Sequence, residues 1–109
     1  MSAPLTRDEL ASLVSGEEDS FTEFKESASS NADMAKEMCA FSNASGGRIL
    51  VGVTDDGQIV GDDSWDEERV MNVARTTLDP PIIPTYQRIT WEPGTEIAAL
   101  GVPAGTEKP

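Results

Sequence analysis

Apolar residues recur along this chain with two alternating periods. Leu10, Leu13 and Val14 share one helical face behind a Thr6-x-x-Glu9 capping box, which predicts a short helix ending near Ser15-Gly16. The Phe- and Thr-containing run Phe21 to Lys25 then suits a strand. After the polar break Ser27 to Asn31, Met34, Ala35, Met38 and Phe41 fall on one side of a second helix. Ser30 or Asn31 can cap that helix, and Ser45-Gly46-Gly47 should stop it.

Arg48 to Thr54 carries Ile49, Leu50, Val51 and Val53 in nearly continuous apolar order, as in a central strand buried on both faces. Asp56-Gly57 is a hairpin signal, with Gln58-Ile59-Val60 as the returning strand. Ser64 and Glu67 form a second capping box before a helix bearing Val70, Val73, Ala74 and Leu78. Asp79-Pro80-Pro81 should end it, because a residue before proline is pushed out of the helical region. Tyr86 to Trp91 and Glu96 to Val102 read as two further strands around Glu92-Pro93-Gly94-Thr95. The predicted order is α-β-α-β-β-α-β-β, an α+β sandwich of helices against a mixed sheet.

Length adds one domain with a real core, since 109 residues do not suffice for two. No apolar run is long enough to span a bilayer, no signal-peptide pattern opens the chain, and Cys39 has no internal disulfide partner. A cytoplasmic protein that does not enter a membrane is therefore expected. Charge changes the picture more. Twenty acidic residues against eight basic ones give a net charge of −12. Nucleic-acid binders usually carry the opposite sign. Three explanations stay open: a cationic partner, an acidic piece of a larger protein, or an acidic, salt-adapted proteome.

Few residues carry candidate chemistry. Glu18, Glu23 and Lys25 are spaced E-x4-E-x-K, and Glu23 and Lys25 project from one strand face; from spacing alone a solvated polar edge is the plainer reading. Asp55 ends the apolar strand, where carboxylates can converge on Mg²⁺ or Mn²⁺, or it simply opens the Asp-Asp-Gly turn. Gly46-Gly47 follows a helix C-terminus, so a cap is expected in preference to a phosphate cradle. Ser42 and Asn43 end the same helix, bonding locally or facing a site. Trp65 and Trp91 can stack bases, although half-buried packing is the plainer reading. Cys39 lies on the helix stripe and is expected in the core. The absence of histidine excludes Ser-His-Asp and Cys-His catalysis and argues against zinc.

Taken together, E-x4-E-F-K-E (Glu18 to Glu26), A-F-S-N-A-S-G-G (Ala40 to Gly47) and I-L-V-G-V-x-D-D-G-x-I-V-G (Ile49 to Gly61) resemble the Schlafen-type AlbA domain. Pro80-Pro81 and the V-P-x-G-x-x-K-P segment (Val102 to Pro109) fit as well. The resemblance covers residues 17–109 and implies an AlbA-like two-layer sandwich there, with the helix read from the Thr6 capping box preceding it in residues 1–16. It further implies a nucleic-acid-binding module of bacterial and archaeal transcriptional regulators and of Schlafen proteins, with DNA or RNA as partner. In the nuclease branch of that family, two glutamates and an aspartate hold Mg²⁺ or Mn²⁺ for RNA cleavage beside a lysine. By motif those roles fall on Glu18, Glu23, Asp55 and Lys25. The shortage of cations departs from the basic groove of those nucleases. Family members also continue past V-P-x-G-x-x-K-P into another strand, so a C-terminal truncation is expected here. A nucleic-acid-binding regulatory module leads, with a metal-dependent endoribonuclease and an acidic protein-interaction module as alternatives. A homodimer or a larger multidomain context follows from the resemblance alone.

Overall fold

The computed structural model describes residues 5–16, 21–78 and 81–105. Helix α1 (Arg7–Ser15) begins at the expected capping box: the Thr6 hydroxyl accepts from the Glu9 amide, and the Glu9 carboxylate accepts from the Thr6 amide at 2.9 Å. Strand β1 (Thr22–Lys25) leads to α2 (Asn31–Asn43), capped by Ser30, whose hydroxyl accepts from the Asp33 amide. The helix stops where Gly46 turns to a φ of 84° and returns its N–H to the Phe41 carbonyl at 2.8 Å. This is the glycine-dependent helix stop that the sequence predicts. Strand β2 (Gly47–Val51), helix α3 (Glu67–Thr77) and the hairpin of β3 (Thr85–Glu92) and β4 (Thr95–Val102) complete the order.

The four strands lie in the order β1-β2-β4-β3. The pair β1/β2 is parallel, in register Thr22↔Arg48 and Lys25↔Val51, as the crossover through α2 requires. Strand β4 runs antiparallel to both β2 and β3. With β2 inside the sheet, Ile49, Leu50 and Val51 are all fully buried, which explains their unbroken apolar order. Alternation sorts them onto two faces. Ile49 and Val51 join Met34, Met38, Val70 and Val73 under α2 and α3. Leu50 joins Leu10, Phe24, Ile89 and Ile97 under α1. Sheet, α2 and α3 make the principal two-layer α+β core, and α1 covers part of the opposite face.

Several local expectations are corrected. Gln58-Ile59-Val60 forms a single bridge, Val53↔Ile59, and not a strand. The reason lies at Gly52, which has a φ of 109° and whose carbonyl accepts from the amides of both Val60 and Gly61. A Cβ at Gly52 would come within 2.7 Å of the Gly61 backbone, so this crossing needs glycine and breaks the ladder. Helix α3 is capped by Asp66, whose carboxylate accepts from the Arg69 amide at 2.8 Å, so the predicted Ser64 cap gives way. Leu78 lies just past that helix in extended conformation, while Asp79 and Pro80 fall outside the described residues. Cys39 is exposed and not in the core. It sits about 100° round the helix from buried Met38, enough to leave the apolar stripe.

Leu10 is the fully buried anchor of α1 on the second face. Leu10→Ala should destabilise the protein by about 2–5 kcal/mol, read as a lower denaturant midpoint with little change in slope.

Candidate functional site

Strand β1 lies at the edge of the sheet, and its side chains alternate. Thr22 and Phe24 are buried, whereas Glu23 and Lys25 share the face towards α2 and are partly exposed. The Lys25 ammonium lies 3.8 Å from the Glu37 carboxylate of α2. At the C-terminal end of β1, the Gly52 and Val53 amides both donate to the Lys25 carbonyl, at 2.7 and 3.2 Å. The chain then leaves the sheet into the Thr54–Gly57 turn, which carries Asp55 as an exposed residue. That turn abuts the end of α1, since a Cβ on Gly57 would meet the Val14 carbonyl at 2.4 Å. Glu18 lies outside the described residues. Among the described residues no three acidic or cysteine side chains are grouped closely enough to hold a metal ion. Glu23 and Asp55 alone offer too few ligands for Mg²⁺ or Mn²⁺, so no catalytic step through a metal is derived.

The strongest polar constellation was not singled out by the sequence pattern. Asp62 has a fully buried side chain and accepts from Ser27 Oγ at 2.6 Å and from the Ser64 and Trp65 amides at 3.2 Å. Arg88 of β3 approaches its carboxylate at 3.2 Å and also donates to the Asp62 carbonyl. The guanidinium further reaches Glu96 at 3.0 Å and the Tyr86 hydroxyl at 2.9 Å, and that hydroxyl donates to the Trp65 carbonyl. Burial pulls the Arg88 pKa down, but the hydrogen bonds to Tyr86, Glu96 and Asp62 outweigh it, so the pKa is raised and the group stays cationic. A signal was available: Tyr86 and Arg88 alternate along β3, so they share the face that bears Trp65.

Trp65 is fully buried, deeper than the half-buried packing expected, and its indole N–H has no acceptor among the described residues. Arg69 stacks on its ring at 3.6 Å and bonds Asn31 at 2.8 Å. Trp91 is half-buried under Arg7, whose guanidinium lies 4.2 Å from the ring centre. Both indoles are therefore occupied by internal cations. The remaining cations divide sharply. Arg75 bonds Asn72 at 2.5 Å, whereas Arg48 and Lys36 are exposed and have no side-chain partner among the described residues.

Arg48 borders a cleft of about 550 Å³ on the α1 face of the sheet. Phe21, Ile83, Gln87 and Gly101 line it with Arg48, and Leu5 and Glu9 close the side next to α1. Phe21 is 54% exposed and Ile83 83% exposed. Sequence periodicity marked neither as a surface feature: Phe21 reads as the first residue of a strand that begins only at Thr22, and Ile83 precedes β3.

The family described as Schlafen, AlbA_2 matches residues 18–109. The fold is similar to the N-terminal domain of a RecG helicase-related protein from Nitrosomonas europaea, with a TM-score of 0.64 and 23% identity over 91% of this chain and 73% of that one. It is also similar to the DIP2311 protein from Corynebacterium diphtheriae, with a TM-score of 0.60 and 19% identity over 92% of this chain. The chain spans 22% of that protein's length. No curated protein matches the sequence. No helix among the described residues is long and apolar enough to cross a membrane.

Removing one partner of the buried pair should be costly. Asp62→Ala is expected to lower stability by about 3 kcal/mol, at the low end for breaking a buried pair because Arg88 is 30% exposed. Chemical denaturation checks it, and the double variant with Arg88→Met should lose less than the two single losses added together.

Proposed function

The chain belongs to the Schlafen AlbA_2 family, and we propose that it is a nucleic-acid-binding module acting in the cytoplasm as one part of a larger regulatory protein. The observation that carries this reading is the family match across residues 18–109. The similar fold of a domain that opens a RecG helicase-related protein supports it. The distribution of charge narrows how such binding would work. Lys25, Arg69 and Arg88 are committed to internal partners, and the net charge is −12. Long-range attraction to phosphates is therefore weak, and binding rests on a small number of close contacts. A homodimer, or further domains of the same protein, would enlarge that contact.

Affinity for DNA or RNA should fall as salt rises, with a shallow slope that reflects few phosphate contacts. Fluorescence anisotropy over a salt series measures it. An absence of binding even at low salt would leave the protein-interaction module as the surviving reading.

The metal-dependent nuclease reading turns on Glu18, Glu23 and Asp55, with Lys25 as the lysine that would exchange its pairing with Glu37 for phosphate charge. What favours it is the shared face of Glu23 and Lys25 on β1. If the reading holds, Mn²⁺ should support cleavage of a transfer-RNA-like substrate, and Glu23→Ala should abolish it. Equal cutting by the variant would remove Glu23 from any catalytic role.

A further inference from the structure

The geometry points to the cleft beside Arg48 and Phe21 as a binding site for single-stranded nucleic acid, with an unstacked base held in the cleft and a phosphate at Arg48. This rests on the nucleic-acid reading above and adds to it a face, a strand state and the residues that make contact. Three observations carry it. Arg48 is an exposed cation with no side-chain partner among the described residues, at the rim of a concave surface. It is therefore free to meet a phosphate without breaking an existing pair, whereas Lys25 and Arg88 are not. Lys36, the other such cation, lies on α2 and outside this cleft.

The second observation is the apolar rim. Phe21 and Ile83 are two of the three large apolar side chains exposed among the described residues, and both line this cleft. An exposed phenyl ring beside a guanidinium suits a base and its phosphate, because stacking needs only a π-face and so tolerates any sequence. The bases of a duplex are already stacked on one another and cannot use such a ring. The third observation is the floor. Ala99 and Gly101 of β4 are small, and a Cβ on Gly101 would come within 2.3 Å of the Thr85 hydroxyl. The floor is thus kept low, while the Thr85 hydroxyl offers a polar group at its edge and Gln87 is held by Leu5.

The size also fits, since about 550 Å³ lies within the range of ligand-binding clefts. Glu9 is the acidic residue in the lining, and its carboxylate already accepts from the Thr6 amide. The acidic surface repels a long polyanion, which favours a short strand held by local contacts over a rod of phosphates.

The test uses fluorescein-labelled oligothymidine and oligouridine of about 12 nucleotides, with a duplex of equal length, at low salt. The single strands should bind more tightly than the duplex. Phe21→Ala and Arg48→Glu should each weaken binding about tenfold, and Phe21→Trp should retain it. Lys36→Glu should stay within about twofold, because a remote charge acts only through the screened field. Unchanged far-ultraviolet circular dichroism identifies variants that remain folded. Binding by Phe21→Ala and Arg48→Glu at the wild-type level, or tighter binding of the duplex, overturns the cleft while leaving the nucleic-acid reading intact. An equal loss in Lys36→Glu overturns it too, since net charge would then be the cause. If the wild-type protein binds none of the three probes, the nucleic-acid reading itself falls and takes the cleft with it.

Discussion

The buried Asp62–Arg88 contact holds elements that are distant in sequence to one another. Asp62 collects hydrogen bonds from the β1–α2 loop through Ser27, and from the approach to α3 through Ser64 and Trp65. Its own amide donates to the Glu96 carbonyl of β4 at 2.7 Å. Arg88 adds β3 and, through Tyr86, closes back on the Trp65 carbonyl. A carboxylate with no exposed surface is tolerable only when it is paired and hydrogen-bonded, and here both conditions are met. The network fixes where α3 starts, and hence how Val70 and Val73 meet the sheet.

That constraint also divides the surface. The α2 and α3 face is closed by packing, and Lys25, Arg69 and Arg88 there are tied to Glu37, Asn31, Asp62 and Glu96, while Lys36 stands exposed on α2. On the other face α1 covers the sheet only partly. It is strapped to β3 through Gln87, which accepts from the Leu5 amide at 2.9 Å and donates to its carbonyl at 2.5 Å. The end of that face that α1 leaves uncovered is where Arg48, Phe21 and Ile83 gather. A strongly acidic protein thus places, on this face, a cation without a side-chain partner among the described residues beside exposed apolar groups.

Much of this architecture is legible in the chain, for identifiable reasons. The Thr6 capping box, the Gly46 stop and the unbroken Ile49-Leu50-Val51 run each encode a local decision, and each appears where the pattern puts it. The failures involve long-range partners. Ser64 carries a good cap signal, but its hydroxyl is taken up by Asp62 and the Ser27 carbonyl, so Asp66 caps α3. The hairpin after Asp56-Gly57 shrinks to one bridge because Gly52 is committed to Val60 and Gly61. Of the candidate site, the shared face of Glu23 and Lys25 follows from strand period alone. Arg48 drew no notice because nothing local marks an arginine that will lack a partner; only the folded sheet reveals it.

Nucleic acid is proposed to bind the sheet face that α1 partly covers. Mapping amide shifts by nuclear magnetic resonance as oligothymidine is added to ¹⁵N-labelled protein tests this most directly. The amides of Phe21, Arg48, Gln87 and Gly101 should move together while those of Lys36 and Glu37 on α2 stay still. Shifts centred on α2, with the cleft silent, would contradict it.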